Sequence, residues 1–183
     1  MAIWEYSQHS AICTGIAPHK KMSSSADVGW TSVLLEHVRR EGEAAAHDTP
    51  VTPDVTIVLA TKGEHSVDVF KNGEWRRAIY QAGRLGMTPS MESTRLKYSA
   101  RSSGSFGTAH LYIPHDCFLE TLEQFRRAGM RSHERPLSAL VYRDDAIAHT
   151  VNAMVAAIGA GALNLYAEQA AMWLATHLLS EHV

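Results

Sequence analysis

The sequence predicts an α+β chain that is mainly β. Antiparallel strands over residues 31–113 form a sandwich or barrel, and three α-helices follow. Three observations carry this. An Asn-Gly pair, Asn72-Gly73, stands between two runs that alternate apolar and polar residues. That pair is the strongest short hairpin signal, because both turn residues take positive φ. Near residue 114 the apolar period changes from two residues to about 3.6. The final run, Leu163 to Glu181, is alanine-rich and carries its leucines and alanines at helical spacing on one side.

Residues 1–28 have mixed character and read as an N-terminal arm, with Ser23-Ser24-Ser25 and Gly29 marking a loop. Val33–Val38 and Val55–Thr61 read as strands. Between them, Glu41 to Pro53 carries three consecutive alanines, Asp48 and two prolines, and reads as an exposed loop. His65-Ser66-Val67-Asp68-Val69 has the strict alternation of a half-buried strand and leads through Asn72-Gly73 into Glu74–Tyr80. Gly83, Gly86 and Pro89 bracket a short strand around Leu85 and Met87. A second hairpin is expected from Arg95–Ala100 through Ser102-Ser103-Gly104 to Ala109–Ile113.

From residue 114 the pattern is helical. Asp116 is placed as an N-cap after Pro114, Phe118, Leu122 and Phe125 share a face, and Gly129 suits a C-cap. Ile147, Val151, Met154, Val155 and Ile158 form an amphipathic stripe, begun by Asp144-Asp145 where acids favour a helix start. In the final helix, Leu163, Ala167, Ala170, Leu174 and Leu178 lie on one side, and the alanines permit close approach of another helix. The last two helices are expected to form an antiparallel pair. The apolar side of the final helix is either internal packing or the seam of a homodimer.

Composition limits the function classes. The chain has 183 residues, 45% of them hydrophobic, and a formal charge of −2. Lys20-Lys21 and Arg39-Arg40 are isolated basic pairs, not the broad footprint of a nucleic-acid surface. Cys13 and Cys117 are far apart and outside any CxxC pattern, which argues against a zinc module or a disulfide framework and makes a reducing cytoplasm the default. No basic and apolar leader opens the chain, and no apolar run reaches the ~18 residues of a membrane span.

The chemistry-bearing motifs are conspicuous by absence. There is no G-x-S-x-G, H-E-x-x-H, P-loop or G-x-G-x-x-G. No catalytic residue, metal or cofactor is assigned. The eleven histidines form no H-x-H pair. A metal would have to gather His37, His65, Glu92 and His110 from separate strands, and no spacing requires that. The polar residues that alternate within strands are more informative. His110 and Tyr112 share one strand face, opposite Ala109, Leu111 and Ile113. A barrel that holds a ligand is lined by a few such groups among apolar ones. The candidate ligand-binding residues are His65, Tyr98, His110 and Tyr112.

Three stretches carry a family resemblance. Gly29-Trp30-Thr31-Ser32-Val33-Leu34-Leu35-Glu36 resembles the lead into a first barrel strand. Trp75-Arg76-Arg77 with Ala82-Gly83-Arg84-Leu85-Gly86-Met87-Thr88-Pro89 resembles the strand and Gly…Pro turn of a cupin-type barrel. Tyr166–Leu179 is similar to the last helix before the DNA-binding part of AraC-type transcription regulators, and Arg143-Asp144-Asp145 with its helix fits the one before. The resemblance covers roughly residues 23–183. It implies a cupin-like double-stranded β-helix barrel over 1–113 that binds an unknown small-molecule effector, and a helical dimerisation region over 114–183. It also implies a cytoplasmic homodimer that reaches DNA only through a C-terminal helix-turn-helix domain, absent from these residues, and no membrane contact. Metal-dependent cupin enzymes carry an H-x-H pair, a downstream Glu and a later His. Here Pro89-Ser90-Met91-Glu92-Ser93 holds no histidine, which argues against an enzyme. The alternatives are such a metal cupin enzyme, or an interaction module with a filled barrel.

Overall fold

The computed structural model describes residues 4–13, 19–40, 42–100, 105–130 and 139–181. It is mainly β, with helices gathered on one side of the sheets. A short helix α1 (Ser10–Cys13) and strand β1 (Lys20–Ser24) precede a 3-10 turn at Ser25–Val28. The strands β2 (Leu34–Arg40), β3 (Ala44–Asp48), β4 (Asp54–Lys62), β5 (Glu64–Lys71), β6 (Glu74–Gln81), β7 (Arg84–Thr88), β8 (Arg95–Ala100) and β9 (Phe106–Pro114) follow. Then come α2 (His115–Arg127), β10 (Ala139–Arg143), α3 (Asp145–Gly159) and α4 (Asn164–Glu181).

The strands form a six-stranded sheet of order β1-β2-β9-β4-β7-β10 and a four-stranded sheet of order β3-β8-β5-β6, antiparallel throughout. The β5–β6 hairpin turns where expected. Asn72 and Gly73 have φ of 55° and 83°, the two positive values that a type I′ turn demands.

Four expectations are corrected. Arg95–Ala100 and Ala109–Ile113 are strands but not a hairpin. β8 pairs with β3 and β5, while β9 lies between β2 and β4 in the other sheet. The chain changes sheets between them, and the expected turn Ser102–Gly104 lies outside the described residues. The segment read as an exposed loop, residues 41–53, contains β3, in which Ala44, His47 and Asp48 pair with β8 at the edge of the smaller sheet. The 114–183 segment is not wholly helical, because β10 returns to pair with β7. The arm contains β1, which extends the larger sheet beyond β2.

Asp116 is not the N-cap of α2 as expected: Pro114 is, because the helix starts at His115, and Asp116 lies in the first turn, where its charge still favours the helix N-terminus. Gly129, with φ of 70°, follows the C-cap Ala128. The Asp144 carboxylate accepts from the Ile147 backbone N–H at 2.9 Å and caps α3. Its other oxygen contacts His177 Nε2 at 2.9 Å near the far end of α4, so the last two helices run antiparallel. The α3–α4 turn is clamped to the strand lead. Trp30 Nε1 donates to the Ala162 carbonyl at 2.7 Å, and Asn164 Oδ1 accepts from the backbone N–H groups of Thr31 and Ser32.

The principal core lies outside the barrel. Leu35, Val55, Ile57, Leu59, Leu85, Ala109, Leu111 and Ile113 project from the outer face of the larger sheet and pack on Phe118, Phe125, Ile147, Val151, Met154, Leu174 and Leu178. Trp4, in the arm, is buried in the same cluster. Ala167, Ala171, Leu174, Ala175 and Leu178 are all fully buried within the chain, with α4 packed on α2 and α3. The stripe proposed as a dimer seam is therefore internal packing. Of its members only Leu163 is well exposed, at 79%, and Ala170 is half-buried. The reason is geometric: β10 and the α2–α4 contact close three helices over one sheet face, leaving that side of α4 no solvent to cover.

Candidate functional site

The two sheets face each other across an open cavity of about 420 Å³. Strand alternation determines who faces it. In β9, Phe106, Thr108, His110 and Tyr112 point in, while Ala109, Leu111 and Ile113 point to the helices. In β4, Thr56 and Val58 line the space and Val55, Ile57 and Leu59 do not. Opposite them, Val67 and Val69 of β5, Tyr80 of β6 and Leu96 and Tyr98 of β8 supply the second wall. Gly86 presents bare backbone in β7, which widens the space beside Val58.

The rim is formed by the β3–β4 loop at Thr49 and Pro50, the β5–β6 turn at Lys71 and Asn72, and the β7–β8 loop at Glu92, Ser93 and Thr94. The two loops are tied together. Thr94 N–H donates to Thr49 Oγ1 at 2.8 Å, Ser93 Oγ donates to the Thr49 carbonyl at 2.6 Å, and Met91 N–H donates to the Thr52 carbonyl at 2.8 Å. Thr52 also contacts Ser10 of the arm, whose hydroxyl donates to Asp54 at 2.6 Å. Burial pushes the Asp54 carboxyl up, against the bonds from Ser10 and Ser7. Arm, strand and rim thus form one hydrogen-bonded unit.

Three of the four residues singled out from sequence line the cavity: Tyr98, His110 and Tyr112. His65 does not. It occupies the inward face of β5 beyond Val67 and is fully buried, stacked on the Phe106 ring at 4.2 Å and tilted against Tyr98 at 5.8 Å. Its Nδ1 donates to the Glu64 carbonyl at 2.9 Å. Burial lowers its proton affinity, the carbonyls of Glu64 and Gly42 oppose this, and the Arg40 charge adds to the lowering. His65 is therefore a support for two lining rings. His110 Nε2 meets Thr108 Oγ1 at 3.0 Å. Burial first, then the charges of Arg40 and His19, push His110 down to about 3, so it is a neutral imidazole at physiological pH.

Sequence reading missed Arg40, which it took for half of a solvated basic pair. Arg40 is only 8% exposed and lines the cavity, with Cζ 5.7 Å from the centre of the Tyr98 ring. The signal was its position: it has the same parity along β2 as the buried Leu34 and Val38. Among the described residues, no group of three or more His, Cys, Asp or Glu side chains could hold a metal ion. His37 and His110 project from opposite faces of the larger sheet, with His37 bonded to Thr61 Oγ1 at 3.1 Å. Among those residues, no helix is long and apolar enough to cross a membrane.

No protein-family model matches the chain. No curated protein matches it either. Solved structures do. ToxT from Vibrio cholerae, in an apo variant form, aligns at a TM-score of 0.62 with 12% identity, over 83% of this chain and 56% of ToxT. The AraC-like transcriptional activator CuxR aligns at 0.52 with 12% identity, over 81% of this chain and 51% of CuxR. A more partial likeness, at 0.36 and 15% identity over 43% of this chain and 59% of the other, is to the Drosophila melanogaster CENP-C cupin domain. With its two facing antiparallel sheets the chain has the cupin-like fold; it shares its fold over four-fifths of its length with ToxT and CuxR and spans about half the length of each. Identities this low establish the fold alone.

Proposed function

We propose that this chain is the small-molecule-sensing region of an AraC-type transcription regulator, with the effector bound between the two sheets. The single observation that carries the proposal is the open, mixed-polarity cavity of about 420 Å³ on a fold shared over four-fifths of the chain with ToxT and CuxR. Its volume falls within the range of about 300–1,000 Å³ usual for ligand pockets, and its lining alternates apolar walls with a few convergent polar groups. This favours a ligand site over a filled interaction module. A metal-dependent enzyme finds no support in the donor geometry: His37 projects from the opposite face to His110, and among the described residues no three such donors come together.

An effector acts only as far as it binds one state better than another. In this proposal the element that the effector biases is the hydrogen-bonded unit of arm, rim and Asp54, adjacent to the mouth. DNA contact belongs, in this proposal, to a helix-turn-helix region of the whole regulator. Pairing of two copies falls to the outward side of α4, where Leu165, Tyr166 and Trp173 are exposed. A charge at Trp173 then halves the mass seen by sedimentation, whereas unchanged mass removes α4 from the pairing.

The test of the sensing role is a metabolite library screened by thermal shift against the chain and against Val67→Trp, which fills the cavity. A ligand that raises Tm for the first and not for the second supports the proposal. Equal shifts in both, with the variant folded, exclude the cavity as the site.

A further inference from the structure

The two sheets end side by side, in β6 and in β10. Among the described residues, β6 pairs only with β5, and β10 only with β7. An open groove of about 560 Å³ runs along this side, lined by Arg77, Ala78, Ile79 and Gln81 of β6, Arg84 of β7 and Val141 of β10. Glu64 of β5 also borders it and has an interaction of its own within the chain.

The hairpin register determines which backbone groups of β6 face outward. The two-residue turn makes Lys71 and Glu74 a pair that exchanges both hydrogen bonds. Such pairs alternate along an antiparallel ladder. Arg76, Ala78 and Tyr80 therefore bond to β5, while Trp75, Arg77 and Ile79 turn their N–H and C=O groups to the open edge. β6 is eight residues long and contains no proline, so this edge can template a further strand. Tyr80 faces the cavity between the sheets, so by alternation Trp75, Arg77 and Ile79 carry their side chains on the outer face, where all three are exposed.

Charge selects the kind of strand that fits. Asp68 lies against two cations, Arg77 at 2.8 Å and Lys97 at 3.7 Å. Arg84 adds a third in the groove. Arg77 gives two of its N–H donors to Asp68 and keeps others for a second acceptor. On either side of it stand apolar surfaces: Ile79, and the Trp75 ring, which is tilted against Phe70 at 5.3 Å with Lys97 Nζ 4.5 Å from its centre. A second copy pairing β6 with β6 would gather Arg76 and Arg77 of both chains at one edge, and like charges on facing strands oppose pairing.

We propose that the β6 edge and its groove take an extended acidic segment of another protein as an added antiparallel strand. A Glu or Asp of that segment lies opposite Arg77, and apolar residues two positions away on each side lie against Trp75 and Ile79. Main-chain bonds to the outward groups of β6 supply affinity, and the charge supplies selection. This surface is on the outside of the smaller sheet, so the proposal does not depend on what the cavity binds.

The probes are three capped peptides: STVTETVTS, STVTKTVTS, and the first again with backbone N-methyl groups on its glutamate and both valines. Binding to the folded chain is read by fluorescence anisotropy, and the site by amide hydrogen exchange. The glutamate peptide is expected to bind at least about tenfold tighter than the lysine peptide, and the N-methylated one not to bind detectably. The amides of Trp75, Arg77 and Ile79 exchange fast in the chain alone and slow when the glutamate peptide is bound. Arg77→Glu reverses the preference between the first two peptides, with circular dichroism reporting the fold. Arg84→Glu, expected to shift that preference several-fold the same way, decides the matter should Arg77→Glu not fold. Equal binding of the glutamate and lysine peptides, or no binding of the glutamate peptide, overturns the proposal. So does slow exchange of the three amides in the chain alone: if independent of protein concentration, the chain covers its own edge, and if growing with concentration, a second copy is the occupant.

Discussion

The two faces of the larger sheet obey different rules, though both are built by the same strands. On the outer face of β9, Ala109, Leu111 and Ile113 are fully buried against helices. On the inner face of the same strand, Thr108, His110 and Tyr112 border open space. The outer face supplies cohesion, since close-packed apolar contacts dominate folding free energy. The inner face gives up that packing and sets polar groups against the cavity instead. A barrel whose core sits outside it can carry an unfilled interior, because its stability does not depend on that interior.

The sharpest way to break this comparison is to cut one residue on each face. Leu111→Ala should cost about 2–5 kcal/mol in denaturant unfolding, since a fully buried leucine leaves a cavity among packed helices. Val58→Ala, on the same sheet but facing the open space, should cost under about 1 kcal/mol. Equal losses would show that the interior is packed after all.

Acid should expose the inner face next. Burial lowers the folded-state proton affinity of His65 and His110 on the inward faces, the latter to about 3, and also that of His37 on the opposite face of the larger sheet. The unfolded chain therefore binds more protons below about 6.5, and stability falls as pH drops from there toward 3. For His110 the slope is at most about 1.4 kcal/mol per pH unit. His110→Gln should flatten the profile in that window. The raised Asp54 carboxyl acts in the opposite sense, gaining stability as pH falls toward the ordinary carboxylate range. An unchanged profile in the variant would mean that His110 is solvated.

A smaller effect belongs to the helical side. Asp144→Ala removes the α3 cap and the contact to His177, and should cost about 1 kcal/mol by thermal unfolding. Smallest is Tyr98→Phe without ligand. Deleting a buried hydroxyl that has no partner should leave stability unchanged or raise it by a few tenths of a kcal/mol. A clear loss would reveal a partner for that hydroxyl.

Local periodicity, turn chemistry and capping were readable from the chain itself. The strand β5, the Asn72-Gly73 turn, the stripe of α3 and the two faces of β9 follow from residue spacing, because period and φ preference act over a few residues. That parity placed Tyr98, His110 and Tyr112 on inward faces. It applied equally to Arg40, which the adjacent Arg39 disguised as a surface pair. Only the tertiary structure decided which strands pair, because β8 and β9 join partners far away in sequence and their proximity in the chain suggested the wrong hairpin. It alone revealed β3 within a run of alanines, where edge pairing outweighs weak propensity. It decided that the apolar side of α4 is covered by α2 and α3 and not by a second copy. Burial is a property of the assembled layers, and no local pattern distinguishes a stripe that meets its own chain from one that meets another.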